Sequence, residues 1–324
     1  MNVLSGRTTA GLLLAGVAFA ETPALAQDYP TRPIRVIVPF SPGGATTATL
    51  RMVEPGMSQV LGQSVIVDNR PGGSATIGTS LVARSAPDGY TVGVANTSFA
   101  TNPLLFAKLP YDTDKDLQPV SLIGITPFVM SVHPSVPARS VKELIALARV
   151  KPDAITFSSS GIGSSSRLAT EFFMHLTKTK MLHVPFQGGG AALTAVLSGE
   201  CALFFSSIPP AIGYYKSGRV RPLGITSAKR DPSLPDVPAI AETVPGFEHF
   251  EWTGLVVPAG TPPAIIAKLQ QAVAKTVTDP ALKQRFAALG AWPRGSTTAE
   301  FAAFIQAERR KWAPVIKAAN IRLN

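Results

Sequence analysis

The feature that most constrains the fold is a repeated order of short apolar strand, glycine-rich turn and helix-like stretch. The first unit has a strand at 34–40 and a helix at about 46–61. The second has a strand at 64–68 and a helix at about 75–85, and another strand follows at 91–95. Strands that alternate with helices of these lengths form βαβ units. The pattern therefore predicts an α/β fold built mainly from parallel sheets.

The same order continues in the second part of the chain. Further strands are predicted at 128–132, 155–158, 181–185, 202–205, 220–226 and 253–258. Further helices are predicted at 141–149, from just after 166 to about 176, and at about 262–277, 280–289 and 298–318. Ser140 is expected to cap the helix that begins at Val141, with Glu143 in place for a capping box. The 298 residues that follow residue 26 exceed one typical hydrophobic core, so we expect two domains.

The first 26 residues have the pattern of a secretory signal peptide. Arg7 supplies a positive charge, residues 8–20 are almost entirely apolar, and Ala-x-Ala sequences end at Ala20 and Ala26. The apolar stretch is shorter than the roughly 20 residues that span a bilayer. A membrane anchor or a buried first helix are the alternatives, and no cysteine follows the stretch to carry a lipid anchor. We expect residues 1–26 to be removed on export to the periplasm.

The chain is basic, with a formal net charge of +10. A basic balance attracts anions by long-range steering. The Lys and Arg residues are scattered, and their densest cluster, 309–311, lies in a predicted helix. Together with export, this distribution argues against a nucleic-acid partner. Cys201 is the only cysteine, so no intrachain disulfide can form.

Four loops at the ends of predicted strands are rich in glycine and small hydroxyl residues. They comprise residues 41–47, 96–98, 159–165 and 186–190. Helix N-termini leave backbone N–H groups unpaired and carry a partial positive charge, so they can hold an anion. Loops at the carboxyl ends of strands are also where α/β sheets bind ligands. One such loop is more often only a tight turn, but four in one exported chain predict a ligand site.

Signals for catalysis or for a bound cofactor are weak. The histidines at 133, 175, 183 and 249 lack metal-ligand spacing, and 161–163 lacks the third glycine of a dinucleotide fingerprint. Acidic residues are sparse around the four loops, so no acid–base pair is visible. We predict no catalytic residue, no metal and no cofactor.

For several other side chains the sequence allows two interpretations, a role in the core or a role in a site. His183 and Cys201 are expected to be core residues. Phe40, Phe99 and Trp252 stand at predicted strand ends, where they either line a cleft or close the core.

A set of short motifs runs in order along the whole mature chain. The motifs occupy residues 29–34, 38–40 with 43–44, 67–72, 87–90, 161–164, 183–186 with 188–189, 226–230, 234–238 and 258–262. At these motifs the chain resembles the substrate-binding receptors of tripartite tricarboxylate transporters, often called the Bug family. The resemblance implies a two-lobed periplasmic binding protein fold of type 2, with each lobe a mainly parallel sheet flanked by helices and with two hinge crossovers. Lobe 1 would comprise residues 28–126 and 250–324, and lobe 2 residues 127–249.

The function implied by the resemblance is solute binding without enzymatic activity. The ligand would be a small mono- or dicarboxylate, aliphatic or aromatic, that is delivered to the integral-membrane subunits of a transporter. We expect the protein to act as a monomer. Two alternatives remain open: a periplasmic sensor that presents its ligand to a signalling protein, and a secreted enzyme on the same fold.

The resemblance also implies ligand-binding residues on both sides of a cleft. Those from lobe 1 are Phe40, Gly44, Ala45, Thr46, Thr47, Ser74, Ala75, Thr76, Ser98 and Asn102, and those from lobe 2 are Ser160, Ile162, Gly163, Ser164, Ser165, Gln187, Gly188, Gly189 and Ser206. The loop after the first strand would hold a carboxylate through backbone amides, hydroxyls and water. The lobe 2 loops would close over the ligand by a hinge motion.

Four residues depart from the pattern of the resembled family. Thr47, Ala202 and Ser206 stand where relatives often have Asp, and Arg167 stands where His is frequent. Fewer acidic groups make a pocket less favourable for an amino group and more favourable for an anion. These departures therefore predict an anionic ligand.

Overall fold

The computed structural model describes residues 29–42 and 44–323, and the predicted signal peptide lies outside them. The strands are β1 (Ile34–Val38), β2 (Val65–Asn69), β3 (Thr91–Ala95), β4 (Leu117–Val132), β5 (Thr156–Ser159), β6 (Leu182–Pro185), β7 (Leu203–Ser207), β8 (Arg221–Ile225), β9 (Phe250–Pro258) and β10 (Trp292–Pro293). The helices are α1 (Ala45–Leu61), α2 (Thr76–Ala83), α3 (Thr97–Leu105), α4 (Val141–Val150), α5 (Ser165–Thr177), α6 (Gly189–Leu197), α7 (Ile208–Lys216), α8 (Pro263–Thr278), α9 (Pro280–Ala288) and α10 (Thr298–Ala318).

The long strand β4 connects the two lobes of one curled sheet. Lobe 1 contains β1, β2, β3, β9, β10 and the first part of β4, whereas lobe 2 contains the end of β4 with β5 to β8. Pro127 of β4 pairs with Phe250 of β9, and the next residue, Phe128, pairs with Ser207 of β7. The chain returns to lobe 1 at β9, just after the backbone N–H of His249 bonds to Thr226 O at 2.9 Å. The predicted two-lobed α/β fold with two crossovers is therefore confirmed.

The sheet differs from the prediction in being mixed rather than mainly parallel. Parallel pairing is limited to the βαβ strands, which are β2, β1 and β3 in lobe 1 and β7, β5 and β6 in lobe 2. Strands β4 and β9 lie antiparallel to each other and to their other neighbours. The reason is the crossover itself, because β4 leaves lobe 1 and β9 enters it in the opposite direction.

Each lobe has its own hydrophobic core, and helix α10 contributes to both. Phe301 near the start of α10 packs in lobe 1, where its ring centroid lies 5.8 Å from that of Trp252. Trp312, further along α10, packs in the core of lobe 2, with its ring centroid 5.7 Å from that of Phe172 on α5. A single helix therefore spans both lobes on one side of the molecule.

The structure contains helices that the sequence pattern did not predict, and α3 shows why. Its residues from Thr97 to Asn102 are all buried, so no polar face produces a helical periodicity. Asn96 starts the helix by accepting a hydrogen bond from the N–H of Ser98 at 3.0 Å. Helices α6 and α7 and the first half of β4 were also not predicted. At α4, Ser140 is the cap as expected, but the Glu143 carboxylate accepts from Arg139 N rather than from the cap residue.

Candidate ligand-binding cleft

The N-terminus of α1 lies at the end of β1 and has no side-chain cap. Gly44 precedes the helix, and among the described residues no side chain caps its N-terminus and no acidic residue lies in its first turn. The Thr46 hydroxyl donates to Glu251 Oε1 at 3.5 Å. Thr47 Oγ1 instead accepts from Asn69 Nδ2 at 3.1 Å. Thr46 therefore faces the crossover strand β9, whereas Thr47 is anchored to the end of β2.

A second helix N-terminus of lobe 1 reaches the same carboxyl group. The Asn96 amide that caps α3 donates to Glu251 Oε1 at 3.0 Å. Asn102, one turn and a half along α3, donates through Nδ2 to the carbonyl of Ser74 at 2.9 Å. Ser74 and Ala75 have φ of 52° and 77°, a left-handed conformation that is unusual for residues other than glycine. Asn102 therefore braces the strained loop that leads into α2.

In lobe 2, the loop before α5 is organised by hydrogen bonds among its own serines. Ser166 Oγ lies 3.0 Å from Ser160 Oγ and 3.1 Å from Ser164 Oγ. Ser164 Oγ also donates to the carbonyl of Gly161 at 2.7 Å. The N–H of Gly188, which precedes α6, donates to Ser160 O at 3.3 Å and ties the second loop to the first. The N-terminus of α6, like that of α1, has no side-chain cap.

Two of the contacts between the lobes lie along the cleft. Near the crossovers, Thr97 on α3 donates to Ser165 Oγ on α5 at 3.4 Å, and Ser165 Oγ lies 2.8 Å from His249 Nε2. Further out, Gly163 faces Ser74 so closely that a Cβ on Gly163 would lie 3.8 Å from the Ser74 Cβ. The hydroxyl-rich loops of lobe 1 and lobe 2 therefore face each other across one cleft.

The floor of this cleft holds an acidic group that sequence reasoning missed. Glu251 pairs with Thr126 where β4 and β9 pass between the lobes, and it is only 9% exposed. Burial raises the pKa of Glu251 to about 7, although hydrogen bonds from Ser165, Asn96 and Thr46 act in the opposite direction. The expectation that acidic groups are sparse at the loops is therefore wrong at this position. The available signal was a glutamate inside an otherwise apolar strand.

His249 lies beside this group and is completely buried. Burial, together with the nearby Lys311, holds its pKa well below the usual 6.5, so the imidazole is neutral. Its Nδ1 has no hydrogen-bond partner among the described residues.

Most of the predicted ligand-binding residues lie on the loops that face the cleft. The start of α1 carries Gly44, Ala45, Thr46 and Thr47, the loop into α2 carries Ser74, Ala75 and Thr76, and α3 carries Ser98 and Asn102. The loop into α5 carries Ser160, Ile162, Gly163, Ser164 and Ser165, and the loop into α6 carries Gln187, Gly188 and Gly189. Ser206 is not on these loops, and its hydroxyl lies 3.0 Å from the Tyr215 hydroxyl inside lobe 2. Phe40 is half-buried against the core of lobe 1.

The side chains for which the sequence allowed either a core role or a site role pack in the core. Trp252 is buried and packs edge-on against Phe301 and Phe304, and Phe99 is buried in the same cluster. His183 is packed and hydrogen bonded as predicted, with Nε2 2.6 Å from Ser159 Oγ, and burial lowers its pKa to about 4. Cys201 is fully buried.

Across residues 29–42 and 44–323, no helix has the length and apolar character needed to cross a bilayer. The same part of the chain contains no group of three or more His, Cys, Asp or Glu side chains arranged to hold a metal ion.

Two α/β lobes that are joined by crossover strands, and whose helix N-termini and hydroxyl-rich loops face one cleft, define a bilobal solute-binding protein. Comparison with known families agrees with this class. The family model described as tripartite tricarboxylate transporter family receptor matches residues 49–321. The chain belongs to this family, which confirms the resemblance seen in its motifs.

Individual relatives match over almost their full lengths. Protein BugT of Bordetella pertussis is 34% identical over 100% of both chains. The solved structure of R. palustris Rpa4515 with adipate has a TM-score of 0.83 and 34% identity, covering 91% of this chain and 99% of that one. MatC from Rhodopseudomonas palustris with bound malate has a TM-score of 0.78 and 32% identity, covering 89% and 100%. The periplasmic binding protein BugD has a TM-score of 0.81 and 30% identity, covering 91% and 99%.

Proposed function

We propose that this protein captures a small carboxylate between its two lobes and delivers it to the membrane subunits of a tripartite transporter. The observation that carries the proposal is the uncapped N-terminus of α1, which opens into the cleft and offers backbone N–H groups without a side-chain acceptor. Two similar structures, those with adipate and with malate, were solved with a carboxylate. The backbone N–H donors at this site are complementary to the carboxylate oxygens of such ligands.

Each set of loops has a distinct task in this proposal. The N–H groups at the start of α1 bind one carboxylate group, with the loop at 74–76 and Ser98 beside them. From lobe 2, the residues of the loop into α5 and the uncapped start of α6 cover the rest of the ligand. The serine network around Ser166 orients the donors in advance, which reduces the entropy lost on binding.

We also infer that the lobes are rigid units that open and close about the crossovers. Lobe 1 comprises residues 28–126 and 250–324 and lobe 2 residues 127–249. The change of partner along β4 between Pro127 and Phe128 supports the first boundary. The start of β9 at Phe250 supports the second.

A hydrolytic function is disfavoured by the geometry of the serine–histidine pair beside the crossover strands. Ser165 and His249 are within hydrogen-bond distance. A catalytic triad needs a third group that orients the imidazole through its other nitrogen. Here that nitrogen, Nδ1, has no partner in the described part of the chain. We therefore propose that the protein binds its ligand without chemical turnover. We further propose that it acts in the periplasm and as a monomer.

The proposal is tested by a thermal-shift screen of the mature protein. The panel contains adipate, malate, other mono-, di- and tricarboxylates, aromatic acids and amino acids. A ligand that binds only the folded protein raises the melting temperature with its concentration. We expect a saturable increase with one class of carboxylate. An increase only with neutral or cationic compounds, or with no compound of the panel, would contradict the proposal.

A further inference from the structure

We propose that Glu251 couples the binding of a carboxylate in the cleft to the uptake of one proton. This inference rests on the proposed function, because it concerns the same cleft. The carboxyl group of Glu251 already occupies part of the region where the ligand's carboxylate is expected. Its ionised form repels a carboxylate ligand, whereas its protonated form donates a hydrogen bond to it.

The position of Glu251 supports this role. Its Oε1 accepts from Thr46 on α1 and from Asn96 at the cap of α3. These are two of the helix N-termini of lobe 1 that face the cleft, and the first of them is the proposed carboxylate site. No described side chain donates to Oε2 within hydrogen-bond geometry, and this oxygen is not among the fully buried atoms that lack a partner. Oε1 is therefore held by Thr46 and Asn96, with the Ser165 hydroxyl nearby, and Oε2 is the oxygen left for a ligand.

The charged groups around Glu251 do not neutralise it. Arg167, the cation on α5, is paired with Glu171 at 3.2 Å. On α10, Lys311 lies 3.8 Å from Glu308, and the charge of Glu308 raises the pKa of Glu251 further. His249, which precedes it on the crossover, is neutral because burial lowers its pKa. No described Lys or Arg forms a salt bridge with Glu251, so a second carboxylate in the cleft meets an unneutralised like charge.

The proton balance follows from these contacts. With a pKa of about 7, Glu251 is present in both forms at neutral pH. A bound carboxylate favours the protonated form, because two nearby carboxylates repel each other. When a carboxylate binds beside an ionised Glu251, the glutamate therefore takes one proton from solvent. That proton then forms a hydrogen bond to the ligand. Above this pKa, the dissociation constant of a carboxylate should rise by about tenfold per pH unit, as expected for one linked proton.

The experiment measures the dissociation constants of adipate and malate by calorimetry between pH 5.5 and 8.5. The proteins are the wild type, Glu251→Gln and the control Glu54→Gln, which alters an exposed pair with Arg51 on α1 far from the cleft. We expect affinity to fall with pH above 7 for the wild type and Glu54→Gln. Glu251→Gln should keep a nearly constant affinity, and at pH 8.5 it should bind more tightly than the wild type by roughly tenfold or more.

A second measurement uses only the wild type and does not depend on how well the variant folds. Binding heats at pH 7.5 in buffers of different ionisation enthalpy report the number of protons taken up. We expect an uptake of about 0.8 proton, the fraction of Glu251 that is ionised at this pH. Tight binding of either acid with no proton uptake and no pH dependence would overturn the role of Glu251 but leave the proposed function intact. The absence of binding by any carboxylate at any pH would overturn the function itself. Weaker binding by Glu251→Gln than by the wild type at pH 8.5 would overturn the proposed repulsion between the ionised Glu251 and the ligand.

Discussion

A buried glutamate in a strand that joins two lobes affects stability as well as binding. Glu251 is hydrogen bonded only by neutral groups, the Asn96 amide and the Thr46 and Ser165 hydroxyls. These contacts satisfy the group without providing a positive charge. Folding therefore favours the protonated carboxyl, and its pKa is raised from 4.5 to about 7. This raised pKa makes the free energy of unfolding fall as the pH rises.

We predict that stability falls as the pH rises through 7, and that Glu251→Gln removes most of this fall. Since the folded state has the higher pKa, the contribution is fully present below the unfolded value of 4.5 and is lost as pH rises through the folded value. The shift corresponds to a loss of roughly 3 kcal/mol between pH 4.5 and pH 8. Urea unfolding of wild type, Glu251→Gln and Glu54→Gln at pH 5 and pH 8 measures it. Equal pH dependence in all three proteins would refute the prediction.

At the scale of residues, the sequence predicted those site residues that follow from a local pattern. It did not predict those that depend on contacts between distant parts of the chain. The start of α1 and the serine loop before α5 were predictable, because glycine and hydroxyl residues at a strand end form a local pattern. Glu251 is 205 residues from Thr46, and the strand order β1-β3-β9 in the sheet brings the two together. Ser206 shows the converse, since its orientation toward Tyr215 depends on packing inside lobe 2.

At the scale of elements, α10 has a role that its amphipathic pattern does not reveal. The sequence predicted its bounds, 298–318, and the structure agrees with them. The pattern shows an apolar face but does not show that Phe301 packs in lobe 1 and Trp312 in lobe 2. Helix α3 was missed for a related reason, because an element buried on all sides has no periodicity to read.

We predict that Trp312→Ala destabilises the protein by about 3–5 kcal/mol, the usual cost of removing a large buried aromatic side chain. Trp312 is fully buried and donates from Nε1 to Glu308 at 2.9 Å, so the change also removes a hydrogen bond from a buried carboxyl. Chemical denaturation followed by circular dichroism measures the loss. Lys317→Ala, at an exposed position of the same helix, is the control and should change stability by less than about 0.5 kcal/mol. A loss below about 1 kcal/mol for Trp312→Ala would mean that α10 contributes little to lobe 2.

At the scale of the whole molecule, the contacts between the lobes are of two kinds. Those near the crossovers, such as Thr97 with Ser165, lie where the proposed hinge would be, so we expect them to change little if the lobes rotate. The contact of Gly163 with Ser74 lies further out and must break if the cleft opens. A covalent bond at the outer contact therefore distinguishes a receptor that opens and closes from one with a fixed cleft.

We predict that Ser74→Cys combined with Gly163→Cys forms a disulfide that holds the lobes together. The expected Cβ–Cβ distance of 3.8 Å suits a disulfide, and the nearby Leu323 Cδ1, at 3.2 Å from the new Cβ, needs to move by only a few tenths of an ångström. The native Cys201 is buried and does not compete. Protein oxidised without ligand should bind added adipate or malate at least tenfold more slowly than reduced protein, because exchange needs an open cleft. Stopped-flow binding with each single-cysteine variant as control measures this, and equal rates before and after reduction would show that ligand enters without separation of the lobes at this contact.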